Sequence, residues 1–232
     1  MRRRNARWPS ILPSRRAEPI RRVQLPPGKK LVALTFDLCE QPFETSGYQG
    51  GIVDVLRSHG IKATFFMGGK WMLSHRERTQ QLMADPMFEV ANHTWEHRNL
   101  RLMSGQALVD EIRNAQLAYE QVREELQAKQ CTGPQGNALA HEQAPRRLGL
   151  MRFPYGACSP AALNEVAQQG LVPIQWDVSS GDPTVGLSEQ GSSNRFSPML
   201  LRARSSCSTP TGAAGTRRGA PGHHRRVEGA RL

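Results

Sequence analysis

Short apolar segments alternate with amphipathic or polar segments over residues 31–176. Apolar runs that are rich in β-branched and aromatic residues predict strands, and they occur at residues 31–36, 61–67, 87–91, 148–153 and 171–176. Several segments between them carry apolar residues three or four positions apart, which predicts helices. Alternating strands and helices imply a parallel sheet with right-handed crossovers. The pattern therefore predicts an α/β fold, either an open doubly wound sheet or a closed barrel.

The clearest helix is predicted between the third and fourth strands, with Ser104 placed to cap its start. Its apolar stripe, which should face the sheet, consists of Leu108, Ile112, Ala115, Tyr119, Val122 and Leu126. Further helices are predicted at residues 48–56, 79–83 and 159–170. In the last of these, Ser159 and Pro160 suit a helix start and Gly170 suits its end.

Polar side chains with chemical potential follow the predicted strands. Asp37 comes after the first strand, His93 after the third, Arg152 at the end of the fourth and Asp177 after the fifth. Barrels and open α/β sheets both assemble their sites at the carboxyl ends of their strands. We therefore expect one functional site at this end of the sheet.

The net charge of +11 is concentrated at the two ends of the chain. Residues 1–30 carry ten Lys and Arg against one Glu, residues 191–232 carry eight Arg against one Glu, and residues 31–190 have a net charge of −5. We expect a mildly acidic globular domain between a basic, disordered N-terminal segment and a basic low-complexity tail. The charged ends have few interleaved aromatic residues, so we do not expect nucleic acid as a partner.

Cysteine spacing and hydropathy leave the compartment open. No apolar run approaches the roughly 18 residues of a membrane span, and the basic start lacks the apolar stretch of a signal peptide. The four cysteines show no CxxC spacing, which argues against a zinc knuckle or a thioredoxin-like site. Cys39 and Cys158 each adjoin a polar motif, and they are either a disulfide pair or two separate buried thiols.

His93 and His97 are four residues apart, a spacing that places two imidazoles on one face of a helical turn. Such a pair is weak evidence alone, because histidines also occupy surfaces and cores at this spacing. The neighbouring acidic residues and Arg152 strengthen the case. The sequence therefore predicts a site at which both imidazoles bind one metal ion.

Four segments carry a resemblance to a known family. They are LTFDLCE at 34–40, NHTWEH at 92–97, RFPYG at 152–156 and WDVSSGDP at 176–183. In this order they resemble the motifs T-F-D-D, H-[ST]-x-x-H, R-x-P-x-G, and a Trp followed six residues later by Asp, of the NodB-homology (polysaccharide deacetylase) family, carbohydrate esterase family 4. The resemblance covers most of residues 31–190, the predicted catalytic domain.

The resemblance implies a deformed (β/α) barrel and the metal-dependent removal of N-acetyl groups from an amino-sugar polysaccharide or peptidoglycan. It implies that Asp37 is the catalytic base and that His93 and His97 bind Zn²⁺ or another divalent ion. Arg152 would orient the base. The backbone N–H of Tyr155 would contribute to the oxyanion hole.

The same resemblance places Asp182 where the family tunes a histidine acid. It also implies contacts to a carbohydrate substrate from Trp95, Pro154 and Gly156. Trp71 and Trp95, both near the motifs, are candidates for stacking on a sugar face.

The first departure from the family pattern is Leu38, which stands where the family has a second Asp that binds the metal. Two imidazoles alone need a further ligand, for which an oxygen is expected. We predict Glu40 as that ligand, with direct binding by Asp37 as the alternative.

The second departure is the missing fifth motif, an L-x-L-H whose His acts as general acid. After Gln190 the chain is dominated by Arg, Ala, Gly, Pro and Ser, as in an out-of-frame translation of GC-rich DNA. Our hypothesis is that this tail comes from a shifted reading frame, leaving the barrel incomplete at its C-terminal end; a genuine basic tail is the alternative. The rival functions are a catalytically impaired deacetylase fragment and a basic nucleic-acid-binding protein.

Overall fold

The computed structural model describes residues 18–29, 31–43, 46–129 and 144–180. The predicted tail, Asp182 and most of the polar stretch between the predicted third helix and fourth strand lie outside these residues. The described part has one five-stranded sheet, with all neighbouring strands parallel. The strands are β1 (Leu34–Leu38), β2 (Ala63–Met67), β3 (Phe88–Asn92), β4 (Leu150–Met151) and β5 (Val172–Pro173).

The strands lie in the sheet in the order in which they occur along the chain, from β1 to β5. A doubly wound sheet reverses its strand order at a switch point, whereas a barrel is wound in one direction. The described strands therefore have barrel-type winding, which the alternation of strands and helices could not decide. β4 and β5 are shorter than predicted, because the chain leaves β4 for a short 3₁₀ turn at Pro154 and Pro173 lacks an N–H.

Helices connect the strands at most crossovers. They are α1 (Gly50–Ser58), α2 (Gly69–Ser74), α3 (Arg76–Met83), α4 (Gly105–Ala128) and α5 (Pro160–Gln168). The predicted caps differ in outcome: the Ser159 hydroxyl accepts a hydrogen bond from the N–H of Ala162 at 3.2 Å, whereas Ser104 makes no side-chain cap. In the described part of the chain, no helix combines the length and apolar composition needed to span a bilayer.

The long helix α4 covers the sheet with the apolar stripe that its sequence predicts. Five of the six stripe residues are buried, and Leu126 packs against the core from a partly buried position. Tyr119 is fully buried, and its hydroxyl donates a hydrogen bond to the carbonyl of Pro145 at 2.7 Å. Burial of apolar side chains stabilises the folded chain by about 1.5–3 kcal/mol each, so this stripe fixes α4 on the sheet.

Part of the predicted N-terminal segment belongs to the folded domain. Ile20 forms a parallel bridge with Ile174, in which its N–H donates to the carbonyl of Pro173 and its carbonyl accepts from the N–H of Gln175, both at 2.8 Å. Arg22 forms an ion pair with Asp177 at 2.8 Å. These contacts satisfy backbone groups at the edge of the sheet, so the domain begins before residue 31.

The loop after β3, which carries both histidines, is held by the start of α2. The N–H of Gly69 donates to the carbonyl of Thr94 at 2.9 Å, and the N–H of Lys70 donates to the carbonyl of Trp95 at 3.0 Å. Gly69 lies so close to its neighbours that a Cβ there would be 2.6 Å from the Trp95 ring and 2.8 Å from the Cα of Ala115. The absence of a side chain at position 69 therefore lets α2, α4 and this loop meet.

We expect Gly69→Ala to lower the free energy of unfolding by about 1–3 kcal/mol, because the backbone of α4 and the Trp95 ring must both shift. Gly51→Ala is the matched control, since a Cβ at that position of α1 has no atom within 4 Å. The control should be neutral or stabilising by up to about 1 kcal/mol. Urea unfolding measures both, and equal behaviour of the two variants would contradict this packing.

Candidate active site

Three of the predicted site residues meet at the carboxyl ends of the strands. Asp37 is the fourth residue of β1, His93 directly follows β3, and Arg152 directly follows β4. The parallel pairing in register brings these three ends together. The structure therefore places a carboxylate, an imidazole and a guanidinium together at one edge of the sheet.

Arg152 connects these groups through both its side chain and its backbone. One terminal nitrogen donates to Oδ1 of Asp37 at 2.6 Å, and the other donates to the hydroxyl of Thr35 at 2.8 Å. Arg152 is only 3% exposed, and the central carbon of its guanidinium lies 3.9 Å from the centroid of the Phe66 ring. Because a buried cation is stable only when it is paired, Arg152 and Asp37 hold each other in one orientation.

The backbone of Arg152 orients the first histidine. Nδ1 of His93 lies 2.9 Å from the Arg152 carbonyl, which can only accept, so Nδ1 carries the proton. The lone pair is then on Nε2, which lies 3.6 Å from Oδ2 of Asp37. A backbone contact of this kind is how proteins fix the tautomer of a metal-binding histidine.

The segment between the two histidines is a loop and not the helical turn that their spacing suggested. Thr94 and His97 both have left-handed backbone conformations, with φ of 68° and 60°. The N–H of His97 donates to the Thr94 hydroxyl at 3.2 Å, and the N–H of Thr94 donates to the side-chain carbonyl of Asn92 at 2.8 Å. Residues other than glycine adopt the left-handed conformation at a cost in free energy, so they occur there where surrounding contacts hold them. This turn brings the two imidazole centroids to 4.9 Å.

Both imidazoles are neutral at neutral pH. Burial is the main cause that lowers the pKa of His93, which is 1% exposed. Burial, with a further contribution from His93, lowers the pKa of His97 to about 4, although the Asp37 carboxylate opposes the shift. The approach of Asp37 to His93 is therefore not an ion pair at neutral pH, and both histidines can offer lone pairs to a cation.

A third potential ligand lies next to the two imidazoles. Within the described residues, the side-chain ligand atoms of Cys39, His93 and His97 all lie within 4.8 Å of one another. Nε2 of His93 and Nδ1 of His97 are buried and have no hydrogen-bond partner among the described residues. Buried polar atoms without a partner are costly, and a divalent cation at this point would satisfy both. The donor set therefore fits a metal ion such as Zn²⁺.

Glu40, the predicted third ligand, is not part of this group. Its carboxylate is 1% exposed and accepts hydrogen bonds from the Ser74 hydroxyl at 2.8 Å and from the N–H of Ser46 at 3.3 Å. Nδ1 of His75 lies 3.7 Å from the same oxygen. The geometry therefore gives the Glu40 prediction no support. Side chains two residues apart along an extended chain lie on the same face. This spacing relates Cys39 to Asp37, and it is the sequence signal that could have identified Cys39.

The segment after Arg152 places Tyr155 beside the second histidine. Tyr155 lies in the 3₁₀ turn Pro154–Gly156 with a φ of 57°, and its ring centroid is 4.6 Å from that of His97. The ring is 55% exposed, and the preceding Pro154 is buried. Gly156 also has a positive φ, and a Cβ there would lie 3.2 Å from the Trp176 ring. Tyr155, the predicted oxyanion residue, thus lies beside His97.

The tryptophans and cysteines near the motifs lie in different surroundings. Trp71 is fully buried and stacks on the His75 ring at 4.5 Å, so it cannot form a platform for a sugar. Trp95 is partly buried and packs against the core. Cys39 and Cys158 are both thiols and do not form a disulfide.

Thr35 and Asn92 hold site residues in place, and the sequence pattern did not single them out. Thr35 accepts a hydrogen bond from Arg152, and Asn92 anchors the histidine loop by donating to the carbonyl of Ile112 at 3.0 Å. Thr35 is two residues before Asp37 and so shares its face of β1. Asn92 directly precedes the candidate ligand His93, and this position in the sequence could likewise have indicated its role.

Sequence comparison identifies the family. The sequence profile described as polysaccharide deacetylase matches residues 24–150. The chain belongs to the polysaccharide deacetylase family. The match begins before residue 31, in agreement with the position of Ile20 at the edge of the sheet.

Curated relatives are 28–32% identical to this chain over the matched part. The chain is 32% identical over 155 residues to a chitooligosaccharide deacetylase from Bradyrhizobium sp. (strain ANU 289), covering 67% of this chain and 59% of the relative. It is 28% identical over 153 residues to the peptidoglycan-N-acetylglucosamine deacetylase PgdA of Listeria monocytogenes, covering 66% of this chain and 27% of the relative. The chain thus spans less than two thirds of the length of these relatives.

Solved structures agree with the fold. The chain resembles the peptidoglycan deacetylase PdaC of Bacillus subtilis with a TM-score of 0.54 at 23% identity, covering 75% of this chain and 71% of that one. It also resembles BA3943 of Bacillus anthracis, described as a pseudoenzyme of carbohydrate esterase family 4, with a TM-score of 0.51 at 20% identity. That match covers 79% of this chain and 53% of the other. The predicted α/β fold of the NodB-homology type is confirmed.

We expect the metal-free protein to lose stability as the pH falls from about 6.5 towards 4. The unfolded chain protonates its imidazoles at their ordinary pKa of 6.5, whereas the folded chain keeps His97 neutral to about 4, so acid favours the unfolded state. His97→Gln should flatten this dependence, and His59→Gln, at an exposed histidine, should not. Urea unfolding in a chelator across this pH window measures the effect. If the stability of the His97 variant depended on pH as steeply as that of the wild type, the lowered pKa of His97 would be contradicted.

Proposed function

We propose that this protein is a metal-dependent deacetylase that hydrolyses the N-acetyl amide of an amino-sugar polymer. The observation that carries the proposal is the arrangement of His93, His97 and Asp37. The two neutral imidazoles each have a buried nitrogen without a hydrogen-bond partner among the described residues, and His93 approaches the Asp37 carboxylate, which is held by the buried Arg152. Membership of the polysaccharide deacetylase family supports the same chemistry.

A divalent ion held by the two histidines would polarise the amide carbonyl and lower the pKa of the attacking water. Oδ1 of Asp37 accepts the hydrogen bond from Arg152, so the other oxygen, Oδ2, faces His93. We assign Asp37 as the base that takes the proton of the water at Oδ2. Arg152 acts as a positioning residue, since it touches the base and not the reacting atoms.

The remaining roles concern the substrate. The backbone N–H of Tyr155 donates to the oxyanion that forms as water attacks the carbonyl carbon. The C–N bond then breaks as the leaving nitrogen takes up the proton held by Asp37, which gives acetate and an amine. Tyr155 is 55% exposed and its ring lies beside that of His97, so it provides a surface for a sugar, to which we propose that Trp95 and Gly156 contribute. Chitooligosaccharides and peptidoglycan glycan strands are the substrate classes that we propose, on the pattern of the relatives.

Zinc should raise the melting temperature of the full 232-residue chain, because a ligand that binds only the folded state stabilises it by mass action, by about 2.7 kcal/mol at 100 times its Kd. His93→Ala should remove the zinc-dependent increase. His59→Ala is the matched control and should retain it. Thermal unfolding with and without zinc measures each variant. A full zinc response in the His93 variant would exclude this site.

Acetate release from N-acetylglucosamine oligomers tests the reaction itself. We expect Asp37→Asn to lower kcat by about 10² to 10⁴, because the amide cannot act as a base. Asp54→Asn, on α1 and outside the contacts described above, should leave the rate unchanged. If both variants release acetate at the rate of the wild type, Asp37 is not the base.

A catalytically impaired deacetylase is the second candidate, and Leu38 is the observation that favours it. This residue replaces a metal-binding Asp of the family motif with a side chain that packs against the core. Zinc binding through His93 without acetate release from chitooligosaccharides or peptidoglycan fragments would select this candidate. Acetate release that depends on Asp37 would exclude it.

A further inference from the structure

The position that should supply a third ligand is occupied by a side chain that cannot bind a metal. Leu38 is partly buried and packs against the apolar core. The adjacent Glu40 is committed to hydrogen bonds with Ser46 and Ser74. Oδ1 of Asp37 accepts a hydrogen bond from Arg152. The family's usual carboxylate is therefore absent, and the nearest acidic groups have other partners.

Cys39 stands where the missing ligand is needed. Its Sγ and the ligand nitrogens of His93 and His97 lie within 4.8 Å of one another, and among the described residues this is the group of three that could bind one ion. The separations suit ligands around a small cation, because Zn²⁺ binds sulfur at about 2.3 Å and nitrogen at about 2.0–2.1 Å. One modest inward movement of the three side chains would complete the coordination.

The backbone of Cys39 is held from both sides. The Ser46 hydroxyl donates a hydrogen bond to the Cys39 carbonyl. Gly68 packs against the other side, where a Cβ would lie 3.5 Å from the Cα of Cys39, and its N–H donates to the Leu38 carbonyl at 2.8 Å. These contacts hold the backbone from which the Cys39 side chain projects.

The two imidazoles indicate that this group is built for a ligand. His93 is 1% exposed, and its Nε2 has no hydrogen-bond partner within the described residues. Nδ1 of His97 is likewise buried and without a partner there. Cys39 and Cys158 are not joined to each other by a disulfide.

We propose that Cys39 binds the metal as a thiolate, completing a His₂Cys site with His93 and His97. This inference rests on the metal dependence proposed above. A thiolate is a softer ligand than the carboxylate it replaces, so the site should select Zn²⁺ or Co²⁺ over Mg²⁺ and Ca²⁺. Three protein ligands leave a fourth tetrahedral position open, which is the arrangement of catalytic zinc sites.

X-ray absorption at the zinc edge tests the ligand set of the full chain loaded with one equivalent of Zn²⁺. We expect one sulfur neighbour at about 2.3 Å with the others at about 2.0–2.1 Å. Cys39→Ser should lose the sulfur neighbour. Its affinity for zinc should fall by more than about 10- to 100-fold, which is the usual effect of losing a residue that only supports a metal ligand. Cys158→Ser, the matched control, should retain both. Cys39→Asp should bind zinc with only nitrogen and oxygen neighbours.

The Co²⁺ complex of the wild type gives a second measurement that needs no variant. We expect a thiolate-to-cobalt charge-transfer band in the near ultraviolet. Metal binding that depends on His93 but shows neither the band nor a sulfur neighbour would overturn the Cys39 assignment and leave the deacetylase proposal standing. A sulfur neighbour that persists in Cys39→Ser would also overturn it. No binding of Zn²⁺ or Co²⁺ at all would overturn the metal dependence as well.

Discussion

The buried guanidinium of Arg152 is the group on which the rest of the site depends. A cation that is 3% exposed must be paired, and its two terminal nitrogens find Asp37 and Thr35 on β1. Its own carbonyl orients His93 after β3. One residue at the end of β4 therefore contacts the ends of two other strands, orients the Asp37 carboxylate and fixes the tautomer of an imidazole. Loss of the side-chain charge would leave the Asp37 carboxylate without this partner, whereas the backbone contact to His93 does not depend on that charge.

Most of the fold could be predicted from local pattern. The five strands and the apolar stripe of α4 follow from hydrophobic periodicity, because burial dictates which faces are apolar. The direction of winding could not be predicted, since it depends on which strands pair. The sequence also did not predict that the segment around Ile20 belongs to the folded domain, because a short basic segment can pair with a sheet edge through its backbone alone.

The candidate site could be predicted in part for the same reason. Strand ends placed Asp37, His93 and Arg152 together, and the structure brings these residues into contact. The helical turn predicted for His93 and His97 was wrong, because left-handed conformations at Thr94 and His97 give the same approach in a loop. The prediction of Glu40 followed the family's preference for an oxygen ligand. The alternation of side chains along an extended chain points instead to Cys39, which lies near both imidazoles.

A crystal structure of the zinc-loaded chain, with the ion located by its anomalous scattering, tests the central claim most directly. The claim is that the carboxyl ends of β1, β3 and β4 assemble one metal site beside Asp37. We expect a single strong peak bound by His93 and His97, with the Asp37 carboxylate still held by Arg152 and facing the ion. Zinc bound elsewhere, or imidazoles turned away from each other with the Arg152 contact broken, would contradict it.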